Sequence, residues 1–216
     1  MATPMTHTSR LSPDQGTPLD SAATSEYRRL LGRLIYLTNT RPVITFAVHN
    51  LSQFISTPTT SHQQVACHIL RYLKDTLGDG LFFPHENTLT LCGFNDSDWA
   101  TCPTTRKSVT GYSIFIGSSL ISWKSKKQQT ISHSSSEVEY QAMATTKCEM
   151  QWISYLLHDL HIPATQPANL YCDNQSTIQI SSNQVFHERT MHIEIGSHLV
   201  REKLSIGFLK LLPITS

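Results

Sequence analysis

Three short acidic stretches, Phe94-Asn95-Asp96-Ser97-Asp98-Trp99, Ser134-Ser135-Ser136-Glu137-Val138-Glu139-Tyr140 and Tyr171-Cys172-Asp173-Asn174, concentrate the residues that could do chemistry. The first and third set a carboxylate just past a run that reads as a β-strand. The second sets one near the start of an apolar-striped helix. Carboxylates converging from such distant positions bind divalent cations, and hard oxygen ligands without a Cys-His cluster favour Mg²⁺ or Mn²⁺ over zinc. The chemistry that fits is phosphodiester hydrolysis, in which two ions about 3.5–4 Å apart activate water and stabilise the leaving oxygen.

Spacing separates some of these acids and not others. Asp96 and Asp98 share strand parity, so alternation leaves both open, and Asn, Asp and Ser also favour turns. Glu137 and Glu139 lie two steps of about 100° apart on a helix, so at most one of them faces a sheet beside it. Ser134-x-x-Glu137 fits a capping box, whereas Glu139 shares its face with Ala142 and Met143. A carboxylate on that apolar side needs a partner, and a metal is a natural one. Asp173 follows Leu170-Tyr171-Cys172 at the carboxyl end of a strand, where ligands of open α/β sheets gather, although a helix N-cap is an alternative role.

Competing chemistries are weaker. His187 and His192 are five apart, not the four that would align zinc ligands on one helical face, and no GxSxG elbow, P-loop or GxGxxG fingerprint occurs. Lys124, Lys126 and Lys127, with Arg106 and Lys107, could contact phosphates, and Trp99, Tyr112 and Trp123 lie near enough in sequence to add sugar or base contacts.

These residues need elements to position them. Tyr27, Leu30, Leu31, Leu34 and Leu37 recur at helical spacing behind Ser25; Ile44, Ala47, Val48, Leu51 and Ile55 make a second stripe before Pro58; Val65, Ile69, Leu70 and Leu73 make a third before Gly78-Asp79-Gly80. Three amphipathic helices predict a small bundle. The texture then turns to β, with strands predicted over 88–95, 108–116 and 120–123, the last two joined by the turn Gly117-Ser118-Ser119. A helix follows from Ser134 toward Cys148, and Trp152, Tyr155, Leu156 and Leu160 continue a helical stripe to Pro163. A short strand over 169–172, helical pieces with Ile178 and Ile180 and then Ile193, Ile195, Leu199 and Val200, and a strand over 206–212 complete an α/β layered domain with a mixed sheet.

The 216 residues suffice for one full domain and a smaller unit, and 39% hydrophobic content supports a packed core. A net charge of +1 means that nucleic-acid affinity must come from local basic clusters. Five cysteines without CxxC spacing point to a reducing, intracellular setting rather than a disulfide framework or a zinc ribbon. Residues 1–24 lack the apolar core of a secretory signal, and no run approaches the roughly 18 apolar residues of a membrane span. The expected protein is not secreted and has no membrane partner; its setting is cytoplasmic.

The succession Asn95-Asp96-Ser97-Asp98-Trp99-Ala100, Arg106-Lys107-Ser108-Val109-Thr110-Gly111-Tyr112, Ile121-Ser122-Trp123-Lys124-Ser125-Lys126-Lys127-Gln128, Ser135-Ser136-Glu137-Val138-Glu139-Tyr140, Cys172-Asp173-Asn174-Gln175 and His198-Leu199-Val200-Arg201-Glu202 resembles the ribonuclease H region of copia-type retrotransposon Pol polyproteins. Tyr27-Arg28-Arg29-Leu30-Leu31-Gly32, Leu37-Thr38-Asn39-Thr40-Arg41-Pro42 and Leu70-Arg71-Tyr72-Leu73-Lys74 are similar to the thumb or connection of the reverse transcriptase that precedes it.

Residues 1–25, polar and interrupted by Pro4, Pro13 and Pro18, read as an irregular leader or a strap across another surface. The resemblance implies a helical thumb/connection-like segment over 26–80 and an RNase H-like domain over 86–216 with a mixed five-stranded sheet flanked by helices. It implies cleavage of RNA in RNA–DNA hybrids with two Mg²⁺ or Mn²⁺ ions, and a reverse transcriptase palm and fingers as partner. Carried over residue by residue, Asp96, Glu139 and Asp173 are the catalytic and metal-binding carboxylates. In the family a fourth acidic ligand lies on a helix after the last strand. This sequence ends at Ser216, where that helix is expected to begin, so a domain lacking its C-terminal helix is expected. Val43, Met191 and Gly196 replace residues that are often charged. The alternative function is a catalytically inactive fragment that binds nucleic acid or a polymerase partner.

Overall fold

The computed structural model describes residues 3–5, 11–102, 105–132, 134–162, 165–182 and 207–214. They fall into two compact units, Met1–Leu81 and Phe82–Ser216.

In the first unit, α1 (Ser21–Leu37), α2 (Thr45–Ser52) and α3 (Thr60–Asp75) enclose a core of Tyr27, Leu31, Leu34, Ile44, Val48, Leu51 and Ile69. α1 starts four residues before the predicted Ser25 cap because Asp20 takes that role, accepting from the Ala23 N–H at 2.7 Å, while Ser25 Oγ donates back to the Ser21 carbonyl inside the helix. Residues 17–19 are paired to 58–60, with a bridge between Pro18 and Thr59, so that part of the leader straps the entry to α3. There Thr59 and His62 form a reciprocal capping box, and the buried His62 ring stacks on Phe54 with centroids 4.0 Å apart.

The second unit is built on a sheet of order β3-β2-β1-β4-β5: β1 (Thr90–Asp98), β2 (Val109–Ile116) and β3 (Ser119–Lys127) pair antiparallel, while β4 (Thr165–Cys172) and β5 (Leu209–Pro213) run parallel to β1. The turn between β2 and β3 needs Gly117, which has φ of +57° and would drive a Cβ into Asn87 Oδ1. Asn87 earns that close approach by accepting from the Ser118 N–H and donating to the Ile116 carbonyl.

β1 runs on to Asp98 through its pairing with β2, Asp96 opposite Gly111 and Asp98 opposite Val109; the first acidic stretch is therefore strand rather than the turn after one. β3 extends to Lys127 for the same reason. One helix, α4 (Ser135–Asp159), crosses the sheet, burying Val138, Met143, Met150, Ile153 and Leu157. Trp152, Tyr155, Leu156 and Leu160, which the helical stripe singles out, are exposed instead. Periodicity identifies the helix, but Ile153 and Leu157 are the residues that reach the core. α5 (Gln175–Ser182) follows β4. His187, Met191, His192, Ile193, Ile195, Gly196, Leu199 and Val200 lie outside the described residues.

Candidate functional site

Alternation along β1 sends Leu91, Gly93, Asn95 and Ser97 toward α4. A Cβ on Gly93 would stand 2.5 Å from Met150 Sδ and 3.3 Å from Thr146 Cγ2, so glycine lets the helix approach the strand. α4 starts at Ser134, whose hydroxyl accepts from the Glu137 N–H at 3.2 Å, and Glu137 in turn accepts from Gln141. The next turn brings Glu139 onto the sheet side, only 7% exposed. The loop ahead of α4 is tied to the end of β1 by Trp99 Nε1, which donates to the Ser132 carbonyl at 3.2 Å, and to the end of β3 by Ser132 Oγ, which donates to Gln128 Oε1 at 3.1 Å.

β4 delivers the third stretch. Asn174, not Asp173, caps α5, its Oδ1 accepting from the Thr177 N–H at 3.0 Å, which leaves the Asp173 carboxylate outside the cap. Parallel register sets Phe94 opposite Tyr171, and their rings stack 4.8 Å apart on the face away from α4. Beyond this pair the chain presents Asp96 and Asp173 at the same end of the sheet.

Among the described residues Glu139, Cys172 and Asp173 form a group whose ligand atoms all lie within 4.8 Å of one another. Asp96 stands outside it but is close enough to act electrostatically: burial pushes Glu139 up to about 7, with the charges of Asp173 and Asp96 adding to the effect and Ser97 opposing it. Asp96 is itself held above the usual carboxylate range by partial desolvation, then by Asp98 and Asp173, against the Ser97 amide. Burial also raises the Cys172 thiol. The group is short of partners. Glu139 Oε2, Ser97 Oγ and Asn95 Oδ1 are buried without a completed hydrogen bond, and Ser97, although it leans toward Glu139, does not close one. Buried polar atoms are paired in the great majority of cases, so three such atoms at one sheet end are acceptors that the chemistry of a cation would suit.

Cys172, Asn95 and Ser97 were not singled out by sequence reasoning. The signal available for them is strand parity, since each shares the inward face of its strand with an apolar neighbour, Leu91 for β1 and Leu170 for β4.

Over all 216 residues the sequence is 42% identical to the retrovirus-related Pol polyprotein from transposon RE1 of Arabidopsis thaliana, and over 191 residues 38% identical to that from transposon TNT 1-94 of Nicotiana tabacum. The chain belongs to the copia-type Pol polyproteins. It spans about 15% of the length of these curated relatives. No protein-family model matches this Pol segment. Among solved structures, the foamy viral protease-reverse transcriptase in complex with an RNA/DNA hybrid covers 89% of the chain, which spans 25% of it, at a TM-score of 0.51 and 14% identity. That likeness concerns fold. The mixed five-stranded sheet of this Pol segment is RNase H-like, as the resemblance implied.

Proposed function

We propose that the RNase H-type domain of this Pol segment is an endonuclease that cleaves the RNA strand of RNA–DNA hybrids with divalent metal ions. The observation that carries this reading is the unpaired Oε2 of Glu139, buried beside Asp173 and within electrostatic reach of Asp96. The carboxylates of the group are hard oxygen ligands that fit a cation such as Mg²⁺ or Mn²⁺. Glu139 and Asp173 would hold it, with Asp96 flanking. Bound there, two such ions would activate water and stabilise the leaving oxygen. The carboxylates keep the site negative and need a cation before a phosphate can approach. Selectivity for RNA would rest on A-form shape and 2′-hydroxyls.

Lys124, Lys126 and Lys127 support a nucleic-acid substrate. With Thr110, Tyr112 and Thr145 they line a cavity of about 220 Å³ between β2–β3 and α4. Register sets Lys127 opposite Val109 and Val109 opposite Asp98, so this basic groove begins two strands from the acidic end of β1. The palm and fingers of a reverse transcriptase are the proposed partner of the whole, and the setting is intracellular, which suits five free thiols. No helix among the described residues is long and apolar enough to cross a membrane.

The test is cleavage of a labelled RNA–DNA hybrid in Mg²⁺ and in Mn²⁺ by the parent chain and by Asp96→Asn. Metal-dependent cutting that the substitution abolishes supports the reading. Cutting by both alike, or by neither, identifies an inactive Pol fragment.

A further inference from the structure

We propose that Cys172 is a third metal ligand of the Glu139–Asp173 group, and that the site therefore also takes thiophilic divalent cations such as Zn²⁺ and Co²⁺. The proposal rests on the metal-site reading above and extends it to a residue of different chemistry. Cys172 is fully buried at the last position of β4, on the same inward face as Leu170. A buried cysteine usually packs as a small hydrophobe. This one packs in the apolar core with Leu170 and also meets polar groups: Asn95 Nδ2 donates to its sulfur at 3.8 Å, its own S–H reaches the Asn174 carbonyl at 4.0 Å, and the carboxylates of Glu139 and Asp173 lie within 4.8 Å.

The independent observation is Glu139 Oε2, which is more than nine-tenths buried, has no partner and belongs to the same group. Bond lengths of about 2.3 Å to sulfur and about 2.1 Å to oxygen set two ligand atoms on one tetrahedral ion about 3.6 Å apart. Atoms already within 4.8 Å need an approach of about 1.2 Å at most to share such an ion. Soft thiolate beside hard carboxylate favours Zn²⁺ and Co²⁺ over Mg²⁺. Binding forms one metal–sulfur bond and breaks the S–H bond, and the released proton passes to the buffer.

The experiment is an absorption titration of the full chain with Co²⁺, followed by competition with Zn²⁺ and Mg²⁺. The parent is expected to develop a sulfur-to-cobalt charge-transfer band that saturates at one equivalent. Cys148→Ala, at an exposed thiol, retains the band; Cys172→Ala and the near-isosteric Cys172→Ser lose it. Glu139→Gln weakens Co²⁺ binding at least tenfold, tying sulfur and carboxylate to one ion. No band in the folded parent, a band that persists in both Cys172 variants, or one indifferent to Glu139→Gln overturns the proposal. Mg²⁺ binding and hybrid cleavage without a band sink this inference and spare the ribonuclease reading; a band without hybrid cleavage does the reverse.

Discussion

Glu139→Gln exchanges a buried carboxylate for a neutral amide of nearly the same shape, so in metal-free protein it isolates the energetic burden of the charge. Burial, with Asp173 and Asp96 adding, raises Glu139 from 4.5 to about 7 in the folded chain. An acid whose folded pKa is raised costs nothing below its unfolded value, loses stability as pH climbs through the window between the two, and carries the full penalty above the folded value. At about 1.4 kcal/mol per unit, the shift corresponds to a penalty of about 3 kcal/mol at pH 8 and about 1 kcal/mol at pH 5. Glu139→Gln should therefore be more stable than the parent, by a margin about 2 kcal/mol larger at pH 8 than at pH 5. Urea unfolding read by tryptophan fluorescence measures this in the relevant unit, because Trp99, Trp123 and Trp152 all belong to Phe82–Ser216. Mg²⁺ should stabilise the parent at pH 8 and leave the variant unchanged. A variant destabilised equally at both pH values would refute the reasoning, since it would mean that the Glu139 carboxylate is already paired in the metal-free fold.

Further tests reach other parts of the chain. Gly93→Ala should destabilise the same unit by about 1–3 kcal/mol through crowding at Met150 and Thr146, read as a lower urea midpoint with unchanged m-value. Tyr27, pushed up to about 12 by burial, should make the helical unit lose stability as pH rises from about 10 toward 12; Tyr27→Phe should lose less over that range by far-UV circular dichroism. His62, lowered by burial, contributes stability above its ordinary value near 6.5 that disappears as pH falls below it, and His62→Gln, which preserves the capping geometry, should flatten that acid-side decline. Removing Lys124 and Lys126 together should reduce the salt slope of hybrid binding by about 1.8, whereas Lys210→Ala on β5 should leave it unchanged.

Helical geometry made Glu139 legible in the sequence. Two residues on a helix point apart, so the capping spacing of Glu137 and the apolar company of Glu139 assign them to different faces, and the structure buries Glu139 while Ser134 caps the Glu137 N–H. The two-residue period of a strand gives no such separation. It set Asp96 and Asp98 on one face, and it could not tell that β1 continues through both, because that depends on pairing with Val109 and Gly111. Whether Asp173 or Asn174 caps α5 was equally hidden, since either side chain suits an N-cap. Cysteine count speaks only to redox setting, whereas the adjacency of Cys172 to Asp173 and its parity with Leu170 place it beside the acidic group. Periodicity found the helix around Trp152 but not its buried side, which follows from where α4 meets the sheet.

The claim that Glu139 and Asp173 form a seat for a divalent cation is tested most directly by titrating the full chain with Mn²⁺ and counting bound ion from the loss of the free-ion paramagnetic resonance signal. The account predicts saturable binding in the parent, competed by Mg²⁺ and weakened at least tenfold by Glu139→Gln and by Asp173→Asn. Mn²⁺ bound as tightly by both folded variants as by the parent would contradict it.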